Sequence, residues 1–301
     1  MARERRHLYL GAILALIVVL LQPAMAAATP GDPPTLVAIR AAHHVGFDRI
    51  VFEFKGGMPE VTRARWVDEL RLEPSDRAAH VQGNAFIRVR FRYALGHRET
   101  APQNRTFGPA RRAYDLPNIA HVVLLGDSEG QVTLGIGLMA RTKIIRATRL
   151  RHPSRFVVDI SSRYPKGKVK VFFADKKAIA DGGSTILQAV TRKVPRGERA
   201  RGAMQRLYAG PTGRERGQGL RFIASGTTGF RDLRINRWGV ARVTLKGPCD
   251  SGGSALVTVA DEVISTLRSR PAVDFVKIYD RNGVTEEPTG RTDSIPYCLE
   301  P

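Results

Sequence analysis

Cysteine is nearly absent from this 301-residue chain: only Cys249 and Cys298 occur, both near its C-terminal end. No other Cys and no His stands at ligand spacing from either, which argues against a metal site. An even count reads instead as one disulfide, the state an oxidising compartment favours. Closing a loop of about 50 residues would stabilise a fold by roughly 4 kcal/mol on the chain-entropy model, and would pin the C-terminal tail to its domain. Histidine is sparse as well, with seven in all. His43 and His44 are adjacent, so on a strand they face opposite ways, and His80, His97, His121 and His152 are scattered with no fixed carboxylate partner. There is no His-Glu-x-x-His helix, no Gly-x-Ser-x-Gly elbow and no Walker loop, so no catalytic residue, metal or cofactor is expected. Paired carboxylates for glycan cleavage would have to come from loops that the sequence does not single out.

Acidic residues are the second shortage. The chain has 28 Asp and Glu against 48 Lys and Arg, a formal net charge of +20. Such a surface attracts polyanions, more weakly as salt rises. Two readings stand: a ligand such as an anionic wall polymer, an acidic lipid headgroup or stray nucleic acid, or an arginine-rich composition with no specific ligand.

Long apolar runs are limited to one, Leu8 to Leu21, preceded by Arg3, Arg5 and Arg6 and followed by Ala24-Met25-Ala26. A positive start, an apolar centre and small residues at Ala24 and Ala26 predict a signal peptide over 1–26 with cleavage after Ala26. The run is shorter than the roughly 20 residues of a spanning helix, although retention as an anchor is the alternative. No cysteine follows it, which argues against a lipoprotein signal. Removing Arg3, Glu4, Arg5 and Arg6 would leave 45 basic and 27 acidic residues. The expectation is export, to the outside of the cell or to the surface of wall or membrane.

What is present is a change of pattern near residue 161. Before it, apolar and polar residues alternate: Ile50, Phe52 and Phe54 against Arg49, Val51 and Glu53, then Ile87, Val89, Phe91 and Tyr93 against Arg88, Arg90 and Arg92. Further apolar runs at 119–125, 132–138, 144–150 and 156–160 are separated by turn residues, and no helical period occurs. This predicts an all-β sandwich over 35–160. A Pro- and Gly-bearing linker is expected at 161–168. Over 169–301 the pattern predicts a small α+β domain, one sheet with two helices. Its strands fall at 169–173, 186–194 and 275–279, with a hairpin turning at Asn236-Arg237-Trp238-Gly239. One helix carries Ala200, Ala203, Met204, Leu207 and Tyr208. The other runs from Ala255 to Arg268 with the stripe Leu256, Val259, Ala260, Val263, Ile264 and Leu267.

Two clusters are candidate anion sites. Arg88, Arg90 and Arg92 would project from one strand face about 6.6 to 7 Å apart, each offering a planar fork of donors to phosphate or carboxylate. The competing reading is a solvated outer face. Arg111, Arg112, Arg146, Arg149 and Arg151 could extend the patch only if the fold brings them there. Ser251-Gly252-Gly253-Ser254, before the long helix, reads as an anion cradle or as helix capping by Ser254.

The block Gly46-Phe47-Asp48-Arg49-Ile50-Val51-Phe52-Glu53-Phe54, with Val123 to Asp127, Gly135-Ile136-Gly137-Leu138 and Arg155 to Asp159, resembles the AMIN-like domain of exported actinobacterial proteins. The block Val169 to Asp175, with Leu207-Tyr208-Ala209-Gly210-Pro211, Cys249 to Ser254 and Phe275 to Asp280, resembles the GerMN domain of sporulation and spore-germination proteins. The first resemblance implies placement at the cell wall, and the second implies assembly through protein contacts rather than turnover. Neither carries a catalytic set onto residues of this chain. The expectation is therefore a non-catalytic envelope protein. Its partners would be a cell-wall polymer or other anionic envelope component, and another envelope protein or a second copy, with no specific nucleic acid. A wall hydrolase or its activator, and unspecific binding of polyanions or acidic membranes, are the alternatives.

Overall fold

The computed structural model describes residues 32–98, 100–252 and 255–300. The expected signal peptide, with Ala24 and Ala26, lies outside the described residues. The alternating pattern of the first half becomes β1 (Thr35–His44), β2 (Phe47–Lys55), β3 (Val61–Val67), β4 (Ala85–Arg92), β5 (His97–Arg98), β6 (Ala101–Arg105), β7 (Arg111–Ala113), β8 (Ile119–Ser128), β9 (Gln131–Leu138), β10 (Ile144–Leu150) and β11 (Ser154–Ser161). They form a four-stranded sheet ordered β1-β2-β11-β10, a five-stranded sheet ordered β3-β4-β9-β8-β7, and the small ribbon β5-β6. The two large sheets bury their inner faces against each other. Phe52 and Phe54 of β2, Phe91 of β4 and Phe156 of β11 meet at the centre, and Phe91 takes the other three edge to face at centroid distances of 5.2, 4.9 and 5.7 Å. Each such ring contributes about 2–3 kcal/mol by leaving water. Arg49 and Asp159 stand opposite each other on β2 and β11 and form a two-pronged ion pair at 2.7 and 2.8 Å.

The outer faces of the five-stranded sheet differ from strand to strand. Residues 68–84 leave β3 and lie as a strap over β8 and β9, burying Leu70 and Ala79 against Val123 and Leu125. The Glu73 amide donates to the Leu125 carbonyl at 2.7 Å, and the Asn84 amide to that of Leu138 at 2.7 Å. The glycines of β9 make room for it: a Cβ at Gly135 would stand 2.6 Å from Leu70 Cδ1, and one at Gly137 only 2.0 Å from the Gln82 carbonyl oxygen. The glycine motif of the sequence is thus a docking surface for the strap.

The second half comprises β12 (Lys166–Asp175), α1 (Lys176–Ala180), β13 (Leu187–Pro195), α2 (Arg199–Ala209), α3 (Gly213–Gly217), β14 (Leu220–Arg221), β15 (Gly229–Ile235), β16 (Val240–Lys246), α4 (Val259–Arg268) and β17 (Phe275–Tyr279). It is α+β, with α2 and α4 as its longer helices. Its strands are divided more finely than one sheet, into β13-β12-β14 and β15-β16-β17, because no ladder bonds join β12 to the β15–β16 hairpin. The side chains of Met204, Leu207, Val259, Val263 and Leu267 fill the core between helices and sheets. Helix α4 starts four residues later than its apolar pattern suggested. Thr258 caps it in a reciprocal box with Asp261, and Leu256, counted in the stripe, is 75% exposed. Cys249 and Cys298 are joined with their Cα atoms 5.6 Å apart, and the Ser251 amide donates to the Cys298 carbonyl at 2.9 Å.

The expected linker 161–168 spans the last residue of β11, a four-residue connection and the start of β12. The two halves pack closely, and Pro33–Pro301 forms one compact unit. Ala120 and Met139 of the first half belong to the core of the second. Arg206 on α2 is fully buried, and its guanidinium donates to the carbonyls of Tyr114 and Leu116 at 2.6 Å and of Lys193 at 3.0 Å. Burial lowers its pKa to about 10, with the Arg192 charge acting in the same direction, so it stays cationic at neutral pH. Asp48 is also buried nearby in the fold, accepting from the amides of Asn118 at 2.6 Å and Ile119 at 3.0 Å.

Candidate anion-binding face

The strap covers β8 and β9 and leaves β3 and β4 open. Alternation along β4 buries Ile87, Val89 and Phe91 completely and turns Arg88, Arg90 and Arg92 outward. On β3 the segment Arg63-Ala64-Arg65 alternates the same way. The antiparallel register sets Arg63 opposite Arg90 and Arg65 opposite Arg88. These five arginines alone line a cavity of about 320 Å³. Like charges directly opposite on neighbouring strands destabilise a sheet, so the grid stands against the local preference of the fold.

One acid enters it. Glu73, carried there by the strap, accepts from Arg90 Nη2 at 2.8 Å and from Gln131 Nε2 at 3.2 Å. Arg90 Nε is buried with no partner. No ion pair to Arg63, Arg65, Arg88 or Arg92 occurs among the described residues. The face therefore holds a surplus of planar donor forks at strand spacing, suited to a chain bearing repeated phosphates or carboxylates.

The grid differs from the patch expected from sequence. Arg88, Arg90 and Arg92 converge as the strand pattern implies, and Arg63 and Arg65 join them. The signal for that pair was present as Arg-x-Arg within Val61-Thr62-Arg63-Ala64-Arg65-Trp66-Val67, an alternation as regular as that of β4. The suggested extensions do not reach it. Arg111 holds the strap through the carbonyls of Ala79 at 3.0 Å and His80 at 2.8 Å. Arg112 ties β1 to β7 through Ile39 and Pro109. Arg146 and Arg149 lie on β10 of the other sheet, and Arg151 follows them.

The serine-glycine cluster is also reassigned. Thr258, not Ser254, caps α4, which moves the helix N-terminus away from the cluster. Gly253 and Ser254 lie outside the described residues. Two histidines acquire carboxylate partners, and for His97 this is contrary to the sequence reading. His43 Nδ1 meets Asp48 Oδ1 at 2.7 Å, and His97 Nδ1 meets Asp127 Oδ2 at 2.8 Å across 30 residues of chain. In both pairs the second oxygen accepts backbone amides, Gly96 N in the case of Asp127 at 2.9 Å, so they act as loop latches. His121 is fully buried and accepts from the Gln82 amide at 3.1 Å; burial, with Arg111 adding, holds its pKa well below the usual value. No group of His, Cys, Asp or Glu suited to a metal ion occurs among the described residues.

The fold and this face define a class: a basic β-sandwich fused to a disulfide-closed α+β module. The family comparison places both parts. Residues 34–162 match the AMIN-like domain, and residues 170–287 match the family described as sporulation and spore germination, called Germane. The chain thus carries an AMIN-like domain followed by a Germane domain, the arrangement of an envelope or sporulation-related protein. No curated protein and no solved structure matches it. The AMIN-like domain and the disulfide point to an exported protein, and among the described residues no helix is long and apolar enough to cross a membrane.

Proposed function

We propose that this is an exported, non-catalytic cell-envelope protein that holds an anionic wall polymer on the sandwich and another envelope protein, or a second copy of itself, on the Germane module. The observation that carries the reading is the grid of Arg63, Arg65, Arg88, Arg90 and Arg92, of which Arg90 alone has an ion-pair partner, Glu73, among the described residues. A flexible polymer with a negative charge on each repeat can place successive groups over the forks of two strands, while the rigid sheet loses little entropy on binding. The match to a sporulation and spore germination family supports assembly as the role of the second module.

Co-sedimentation with purified cell wall tests this. The protein should bind at low salt and release as salt rises, and the Arg63→Ala, Arg65→Ala, Arg88→Ala, Arg92→Ala variant should bind about tenfold or more weakly with its fold intact. Wall binding unchanged in that variant overturns the site. Equal binding to unrelated polyanions would replace it with unspecific attraction, and clearing of wall material in a zymogram would show turnover and overturn the non-catalytic reading.

A further inference from the structure

The strap is acidic in a basic chain: Asp68, Glu69, Glu73 and Asp76 fall within nine residues. Three of these acids face arginines outside the grid. Asp68 stands 3.7 Å from Arg141, and Glu69 and Asp76 flank Arg71 at 2.8 and 3.3 Å. Glu73 alone reaches the grid, where one of its oxygens accepts from Arg90 Nη2 at 2.8 Å and the other from Gln131 Nε2 at 3.2 Å. The backbone fixes that reach. The Glu73 amide is bonded to the Leu125 carbonyl at 2.7 Å, and the next residue of β8, Gly126, leaves room for the acid, since a Cβ there would stand 2.8 Å from Glu73 Cβ. The pair still opens to solvent, with the Glu73 side chain 30% and the Arg90 side chain 38% exposed. Arg90 is central in the grid, between Arg88 and Arg92 along β4 and opposite Arg63 on β3.

We infer that Arg90 and Gln131 form the central anion subsite of the grid, that the protein fills this subsite with its own carboxylate, and that Glu73 thereby competes with the wall polymer and selects for ligands of many charges. The inference rests on the wall-binding reading of the grid and adds a specificity-determining residue to it. A carboxylate held by a guanidinium and an amide makes the contact that a phosphate or carboxylate of the polymer would make, so one replaces the other on the same donors. A ligand with a single anionic group gains little by that exchange, because it trades one carboxylate contact for another. A polymer that runs along the strands also engages Arg63, Arg65, Arg88 and Arg92, none of which has an acid to displace, and those contacts carry the exchange at Arg90.

Co-sedimentation of the full chain with purified cell wall, at fixed low salt, tests this through charge-matched variants. Glu73→Gln, which keeps the shape of the side chain and removes its charge, should bind the wall about threefold or more tightly than wild type, and Glu73→Ala should show the same gain. Asp76→Asn makes the same change of charge on the strap away from the grid and should leave binding within about 1.5-fold of wild type. In an Arg90→Ala background, Glu73→Gln should bring no gain, because the competition has lost its object. Wall binding that survives unchanged in the Arg63→Ala, Arg65→Ala, Arg88→Ala, Arg92→Ala variant removes the grid as the site and this inference with it. Where that variant is weakened as expected, the inference alone is overturned by Glu73→Gln binding no more tightly than wild type, by an equal gain in Asp76→Asn, or by a gain that persists without Arg90.

Discussion

Glu262 is a carboxyl in the middle of a core. It is fully buried on α4, and its two oxygens accept the amides of Ala174 at 2.9 Å and Ile223 at 3.0 Å. Those bonds favour the charged form, yet burial outweighs them and raises the pKa to about 8. The unfolded value is about 4.3, so between the two the native chain keeps a proton that the unfolded chain has lost. Stability from this group is therefore full in acid and falls as pH rises through about 8. From pH 5.5 to 8.5 the loss should be roughly 3 kcal/mol, read as a fall in urea midpoint, and Glu262→Gln should largely abolish that fall. An equal fall in the variant would show that the pH response lies elsewhere. Nothing in Ala260-Asp261-Glu262-Val263 distinguishes this carboxyl from the exposed Asp261 beside it; helix periodicity puts position 262 near the stripe, and only the packed sheet shows that it is sealed.

At the scale of elements, the strap decides which part of the sandwich is left uncovered. It closes β8 and β9, leaves β3 and β4 uncovered, and delivers Glu73 to Arg90. Its seat depends on the absence of a side chain at Gly137. Gly137→Ala should destabilise the fold by about 2–3 kcal/mol in urea denaturation, because the clash is with backbone that cannot rotate away. Gly197→Ala, where a Cβ meets nothing within 4 Å, serves as the neutral control. A silent Gly137→Ala would mean that the strap is loosely held. The alternation of β4 made its arginines legible in the sequence, and the same rule applied to β3 finds Arg63 and Arg65. The register that sets those two opposite Arg90 and Arg88 is a property of the paired strands and has no trace in either segment read alone.

For the molecule as a whole, the junction between the modules is built from buried polar contacts rather than a flexible tether. Arg206 caps carbonyls on both sides, the Tyr164 hydroxyl donates to the Pro117 carbonyl, and Asn84 links the strap to Glu198 and Gln205. Arg206→Leu removes the donors and leaves three buried carbonyls unmet, so calorimetry should show a lower midpoint by roughly 5 °C or more, with the joint transition broadened. A midpoint within about 1 °C of wild type would show that apolar packing alone holds the junction. A junction of this kind also fixes the position of the arginine grid relative to the Germane module.

The sequence by itself determined the order of modules, most strand positions, the two longer helices, the cysteine pair and the excess of positive charge. These follow from periodicity, turn residues and composition, which are local properties of the chain. The tertiary structure decided which arginines share a face, which histidines gain acids, where α4 begins, and which polar groups are sealed into the junction between the modules. Each of those depends on groups far apart in sequence meeting across a packed interface, where desolvation and steric fit, absent from any single segment, set the outcome.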